Sequence, residues 1–237
     1  MGLGSGRHGS ESRFATYVET LATALGHADR AAPFRSYCTG LLLPGRRKSV
    51  EPMAARVAPA QVQAKHQSLH HLVAKADWSD EAVLRVVRQQ VLPAIERHGA
   101  IRAWIIDDTA FPKKGTHSVG VARQYCGQLG KQDNCQVAVS LSVTNDHASL
   151  PIAYRLYLPH AWADDPGRSR RAGVPDEVRF QTKPQIALGQ IESALRTGVS
   201  SAAVLMDAGD IAQAKLGDAI AEAGIDAVAC VHQHGSR

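Results

Sequence analysis

Two short apolar runs that each close on aspartate constrain this chain more than any other feature. Ala103-Trp104-Ile105-Ile106 runs into Asp107-Asp108-Thr109, and Ala202-Ala203-Val204-Leu205-Met206 runs into Asp207. Continuous apolar runs of this length, without helical spacing, read as strands buried on both faces of a partly parallel sheet. A carboxylate at the end of such a strand emerges at the carboxyl edge of the sheet, where open α/β sheets bind their ligands. Asp108 and Asp207 stand 99 positions apart. If the two strands are neighbours, the carboxylates meet.

The intervening sequence supplies the rest of a sheet. Ser118 to Cys126 alternates, Gly127 to Gly130 is a turn region, and Cys135 to Val143 alternates as a partner strand. Leu150 to Leu158 is a further strand, which Pro151 places at an edge. Residues 159–183 are rich in Pro, Asp and Arg and read as a long loop. Pro184 opens a helix through Ile186, Ile191 and Leu195. After the second acid-ending strand, Ile211, Leu216 and Ile220 mark a helix stopped by Gly224, and Ile225 to Val231 is a last strand. Hairpin-linked strands followed by helix, strand, helix, strand give a mixed sheet. The expected fold class is therefore α/β, a ribonuclease H-like mixed sheet with flanking helices, in which the two acid-bearing strands lie side by side and parallel.

Ahead of the sheet the pattern is helical. Phe14, Tyr17, Val18, Leu21 and Leu25 share one helix face. Phe34 to Leu43 is a second helix, ended by Pro44-Gly45; Ser49 and Pro52 open a third, with Met53 and Val57 inward. Pro59 begins a stretch with Val62, Leu69, Leu72 and Val73. Ser79-Asp80-Glu81 starts a helix with Val83, Val86, Val87 and Val91 inside. Three segments are expected: a disordered tail over 1–12, a helical region over 13–99, and a ribonuclease H-like core over 100–237.

Charge narrows the partners. The formal net charge is +5, and all of the excess sits in residues 1–100, with 13 Lys+Arg against 8 Asp+Glu. A basic front suits a polyanion, although so small an excess is also ordinary surface solvation. No apolar run approaches the roughly 18 residues of a membrane helix, and the first residues lack a signal-peptide core, so a cytoplasmic location without membrane contact is expected. Cys38, Cys126, Cys135 and Cys230 form no C-x-x-C pair, which argues against a zinc ribbon and for small buried thiols. His66 and His70 have helical zinc spacing but lack the intervening Glu, and Gly127-x-x-Gly130-Lys131 is not a phosphate-binding loop.

Two aspartates at adjacent strand ends make a hard-oxygen site suited to Mg²⁺ or Mn²⁺. Either acid alone is equally a turn former or helix cap, and Asp107 rivals Asp108 because strand neighbours face opposite ways. Arg46-Arg47-Lys48 after a Pro-Gly turn, Lys113-Lys114 beyond the first acid, and Arg168, Arg170 and Arg171 are candidate DNA phosphate contacts or solvated loop residues.

The chain resembles an insertion-sequence transposase of the DDE superfamily. The matching segments are Trp104 to Thr109, Phe111-Pro112-Lys113-Lys114-Gly115, Val119 to Lys131, Asp133-Asn134-Cys135-Gln136, Arg179-Phe180-Gln181-Thr182-Lys183-Pro184 and Gly40-Leu41-Leu42-Leu43-Pro44. The likeness covers roughly residues 13–207. It implies metal-dependent DNA cleavage and strand transfer in transposition, with Asp108 (directly before Thr109) and Asp207 (opening Asp-Ala-Gly) as catalytic metal ligands for Mg²⁺ or Mn²⁺. It implies double-stranded DNA, both element ends and target, as partner, association with the nucleoid when bound, and a homo-oligomer. After Asp207-Ala208-Gly209 the chain departs from the family, with Asp210 and Ile211 where Tyr and Gly usually follow. The family's third acid, a Glu on a later helix, is absent; Glu222 comes too soon after Asp207. The expectation is an N-terminal, C-terminally truncated portion of a transposase. The alternative is a catalytically silent fragment that only binds DNA or a full-length transposase.

Overall fold

The computed structural model describes residues 5–207, 220–221 and 227–230. They fall into two compact units, residues 1–92 and 93–237, a division seven residues before the change of sequence pattern near 100.

The first unit is helical: α1 (Ser5–Ala22), α2 (Ala31–Leu42), α3 (Val50–Val57), α4 (Val62–Ala74) and most of α5 (Asp80–Glu96). Helix α1 begins at Ser5, so most of the stretch expected to be a disordered tail extends the first helix. The anticipated apolar stripe is the core: Val18, Leu21 and Leu25 are buried with Phe34 and Leu72, and Trp78, Val83, Val86 and Val87 pack against them. Each such large side chain removed from water contributes about 1.5–3 kcal/mol. A second cluster joins Met53 and Ala54 to Leu69. Gly40 permits it, because a Cβ there would stand 2.2 Å from Met53 Cγ. Ser79 caps α5 by accepting the Ala82 N–H at 3.1 Å.

The second unit carries a mixed sheet. Its strands are β1 (Ala103–Pro112), β2 (Ala122–Cys126), β3 (Lys131–Thr144), β4 (Ser149–Leu156), β5 (Ala203–Asp207) and β6 (Ala227–Cys230). The order is β2-β3-β1-β5-β6, with β4 also on β3. Pairs β1–β3, β2–β3 and β3–β4 are antiparallel, whereas β1–β5 and β5–β6 are parallel. This is the expected ribonuclease H-like arrangement, with the two acid-bearing strands adjacent and parallel. Among the described residues strand β4 pairs with β3 alone, as Pro151 requires of an edge.

Between β4 and β5 the chain forms α6 (His160–Ala163), α7 (Pro166–Arg171) and α8 (Lys183–Arg196). Two of these replace the expected long loop. Asp165 caps α7 by accepting the Arg168 N–H at 2.8 Å, and Pro166 occupies its first turn. Trp162 of α6 is 1% exposed and donates Nε1–H to the Val121 carbonyl at 2.8 Å. One face of the sheet presents Trp104, Val137, Val139, Leu141, Val143, Val204 and Met206, all buried. Helix α8 covers it with Ile186, Ala187, Ile191 and Ala194, and Gln190 donates to the Val139 carbonyl at 3.0 Å. The helix expected over Ile211 and Leu216, its stop at Gly224, Glu222 and the final polar segment lie outside the described residues.

Candidate active site

Strand β5 meets β1 through Ala103–Ala203, Trp104–Val204 and Ile105–Leu205. Asp108 follows three residues after the last paired position of β1, and Asp207 two residues after that of β5, where it pairs with Cys230 of β6. The topology thus sets the two strands side by side and parallel, with Asp207 closing β5 and Asp108 inside β1, while the register that pairs Ile105 with Leu205 gives Asp207 the parity of Asp107.

Alternation along β1 puts Asp108 on the face of Trp104, Ile106 and Ala110, the face that α8 covers. Asp108 is level with Val139 on β3; Asp107 is level with Ser140, faces the other way and is exposed. The Ser140 hydroxyl donates to the Asp107 carbonyl at 3.3 Å.

Asp108 is held by a cation that motif reading did not single out. The Lys183 ammonium forms an ion pair with Asp108 Oδ2, the two side chains being 30% and 25% exposed. Lys183 is placed by a rigid helix start. Thr182 is the N-cap of α8: its hydroxyl accepts the Gln185 N–H at 3.3 Å, and Gln185 Oε1 accepts the Thr182 N–H at 2.8 Å. The Pro184 ring fits the first turn, where no N–H is needed. Phe180 stacks on His160 with ring centroids 3.6 Å apart and meets Tyr157 edge-on. The Lys183 ammonium lies 6.0 Å over the Tyr157 ring. Thr182 and Gln185 are a capping-box signature legible in the sequence; the partner of Lys183, 75 positions away, is not.

The chemistry of this donor set fits a hard cation. Asp108 offers carboxylate oxygens, is partly accessible, and already faces positive charge. Among the described residues, no three His, Cys, Asp or Glu side chains come together as a preformed metal cluster. Cys126 and Cys135 are free, buried thiols of one small cluster with Ala110 and Val137. Burial pushes the Cys135 thiol above its ordinary range, and the Cys126 thiol and Asp133 push the same way, while Lys183 pulls it down.

The other predicted residues divide. Lys48 donates to the carbonyls of Leu41 (2.7 Å) and Leu43, closing the end of α2. Arg46 and Arg47 are exposed in the same unit, and the Arg47 carbonyl accepts from Arg56 at 2.7 Å. Lys113 and Lys114 are exposed in the turn after β1. That turn is tied to α7 by Arg168, which donates to the Thr116 carbonyl at 2.9 Å and lies 3.8 Å over the Trp162 ring. Thr116, His117, Trp162, Arg168 and Arg171 line a cleft of about 550 Å³. His66 and His70 are ring neighbours 6.2 Å apart, with no third ligand beside them among the described residues.

A family model described as DDE superfamily endonuclease matches residues 20–235. The probable transposase for insertion sequence element IS701 of Microchaete diplosiphon is 31% identical over 141 residues, 60% of this chain and 34% of that protein. The chain therefore spans about a third of the length of this curated relative.

Proposed function

Because this chain belongs to the DDE superfamily endonucleases, we propose that it supplies the first two acidic positions of a transposase core that cuts and joins DNA with divalent metal. The observation that carries the reading is the adjacency of the parallel strands β1 and β5, which carry Asp108 and Asp207 just past their last paired residues. The similarity to a probable insertion-sequence transposase supports DNA as the partner.

In this reading Asp108 and Asp207 hold Mg²⁺ or Mn²⁺. Divalent metal held by these residues would supply Lewis-acid activation of water and of a phosphodiester. The chain's own residues prepare the site. Asp108 sits on the face covered by α8, where partial exclusion of water strengthens charge interactions. Asp107, exposed and turned away from α8 and Lys183, is given no ligand role in this reading. Lys113 and Lys114, in the turn that Arg168 anchors, meet the phosphate backbone as it approaches β1. Arg46 and Arg47 add phosphate contacts from the helical unit, while Lys48 serves the end of α2.

The test compares Mn²⁺ binding, followed by electron paramagnetic resonance, and Mn²⁺-dependent nicking of a supercoiled plasmid. Losing an orienting partner of a metal ligand typically costs 10–100-fold, so Asp108→Asn, which removes a ligand, is expected to cost at least about ten-fold in binding. Asp107→Asn is expected to stay within about two-fold of the unmodified chain. Equal binding and nicking by Asp108→Asn and the unmodified chain would sink the assignment.

A further inference from the structure

We infer that Lys183 makes cation loading at Asp108 depend on the arrival of a DNA phosphate. The inference rests on the reading that Asp108 holds a divalent cation.

Lys183 is not a surface lysine caught in a chance contact. The capping box of Thr182 and Gln185 fixes its backbone, Tyr157 lies under its ammonium, and its partner is the carboxylate of the proposed site. An ammonium on Asp108 Oδ2 and a divalent cation on the same carboxylate repel each other across a few ångströms, in a setting only about a quarter exposed. Occupancy by one therefore weakens the other. Lysine is a compact charge on a flexible stem with three rotatable donors. It can leave the carboxylate without moving α8, provided another anion takes it. The phosphodiester that the site would act on is such an anion, and it arrives where Lys183 already points.

The consequence is linkage. DNA draws Lys183 from Asp108 and tightens cation binding there, and by reciprocity the cation tightens DNA binding by the same factor. Coupling between two sites is ordinarily about 5–150-fold. Such a site takes up its cation when a strand is present and leaves Asp108 neutralised by Lys183 otherwise.

The experiment measures Mn²⁺ affinity of the 237-residue chain by electron paramagnetic resonance, with and without a short DNA duplex, using Asp108→Asn to subtract Mn²⁺ held elsewhere and by the duplex. The unmodified chain is expected to bind Mn²⁺ about ten-fold more tightly with the duplex. Lys183→Gln is expected to bind it about ten-fold more tightly without DNA and to gain less than about two-fold from the duplex. Lys183→Arg keeps the charge and is expected to retain most of the coupling. Two results overturn the inference: no enhancement by duplex in the unmodified chain, which needs no Lys183 variant, or equal affinity and enhancement in Lys183→Gln. If Asp108→Asn binds Mn²⁺ as the unmodified chain does, the metal assignment itself fails, a result distinct from either.

Discussion

Removing the Asn145 side chain is expected to loosen the entry to β1 and destabilise the second unit by about 2–4 kcal/mol. Asn145 is 8% exposed and uses every donor and acceptor of its amide. Nδ2 donates to the carbonyls of Ile95 at 3.0 Å and Gly99 at 2.7 Å, and Oδ1 accepts the N–H groups of His147 at 2.9 Å and Ala148 at 3.0 Å. The amide thus fastens the β3–β4 turn to the last turn of α5 and to the segment that enters β1. Net contributions of roughly 0.5–1.5 kcal/mol per bond would give about 2–6 kcal/mol if nothing compensated. The partners at Gly99, His147 and Ala148 are only part-buried, so water restores much of their share. The bond to the Ile95 carbonyl is buried, and an acceptor left unpaired there costs about 1–3 kcal/mol. Asn145→Ala is therefore expected to lower Tm by roughly 5–15 °C in a unit of this size. His147→Ala leaves the backbone donor in place and is expected to change stability by less than about 0.5 kcal/mol. Both are read by circular dichroism during thermal and urea unfolding. A Tm drop under 2 °C for Asn145→Ala would refute the clamp.

Gly120 has φ of 74°, and a Cβ there would stand 2.7 Å from the Tyr157 carbonyl oxygen. Gly120→Ala is expected to cost about 2–4 kcal/mol, from the left-handed conformation and the forced shift of Tyr157, whereas Gly130→Ala, with φ of 62° and open space around it, is expected to cost only about 1–2 kcal/mol; equal urea midpoints for the two would refute the steric argument. Burial pushes the Cys38 thiol up to about 11, which lowers its thiolate fraction at any pH below that value. At pH 8 about one thiol in a thousand is ionised, against about a quarter for a free thiol. Alkylation of Cys38 in the folded chain, followed by peptide mass spectrometry, is expected to run at least 100-fold slower than in urea, and a comparable rate would contradict the burial.

What could be read from the sequence was what side-chain pattern dictates. The stripe from Phe14 to Leu25 and the apolar runs before Asp108 and Asp207 carry their own periodicity, and they became α1 with the short 3-10 turn after it, β1 and β5. The full length of β1 was not legible. It continues through Asp107, Asp108 and Thr109 to Pro112 because β3 pairs with it as far as Cys135, a constraint imposed by a neighbour's backbone rather than by alternation. The segment after β4 departs from its loop-like composition for the opposite reason. Its Pro, Asp and Arg content suits a loop, yet Asp165 and Pro166 are also helix starters, and Trp162 supplied an anchor that composition hides. The ion pair of Lys183 with Asp108 joins residues far apart in sequence, and only the packing of α8 on the sheet creates it.

The choice between Asp107 and Asp108 shows how the fold bears on chemistry. Consecutive strand residues face opposite sides, so α8 can meet only one of the two carboxylates. Which one depends on the face that α8 covers, and no local pattern in Ile-Asp-Asp-Thr states that. Trp104 and Ile106 share the parity of Asp108, and Trp104 is wholly buried, with Nε1 donating to the Ser200 carbonyl at 3.0 Å. That anchor, with the pairing of Trp104 to Val204 on β5, locks the register of β1. A slip by one residue would carry Asp108 to the exposed side and expose the indole, at a cost of about 3–5 kcal/mol by analogy with removing a buried aromatic ring. The apolar run before the acids therefore does more than bury a strand. By fixing parity, it selects the carboxylate that α8 and Lys183 meet.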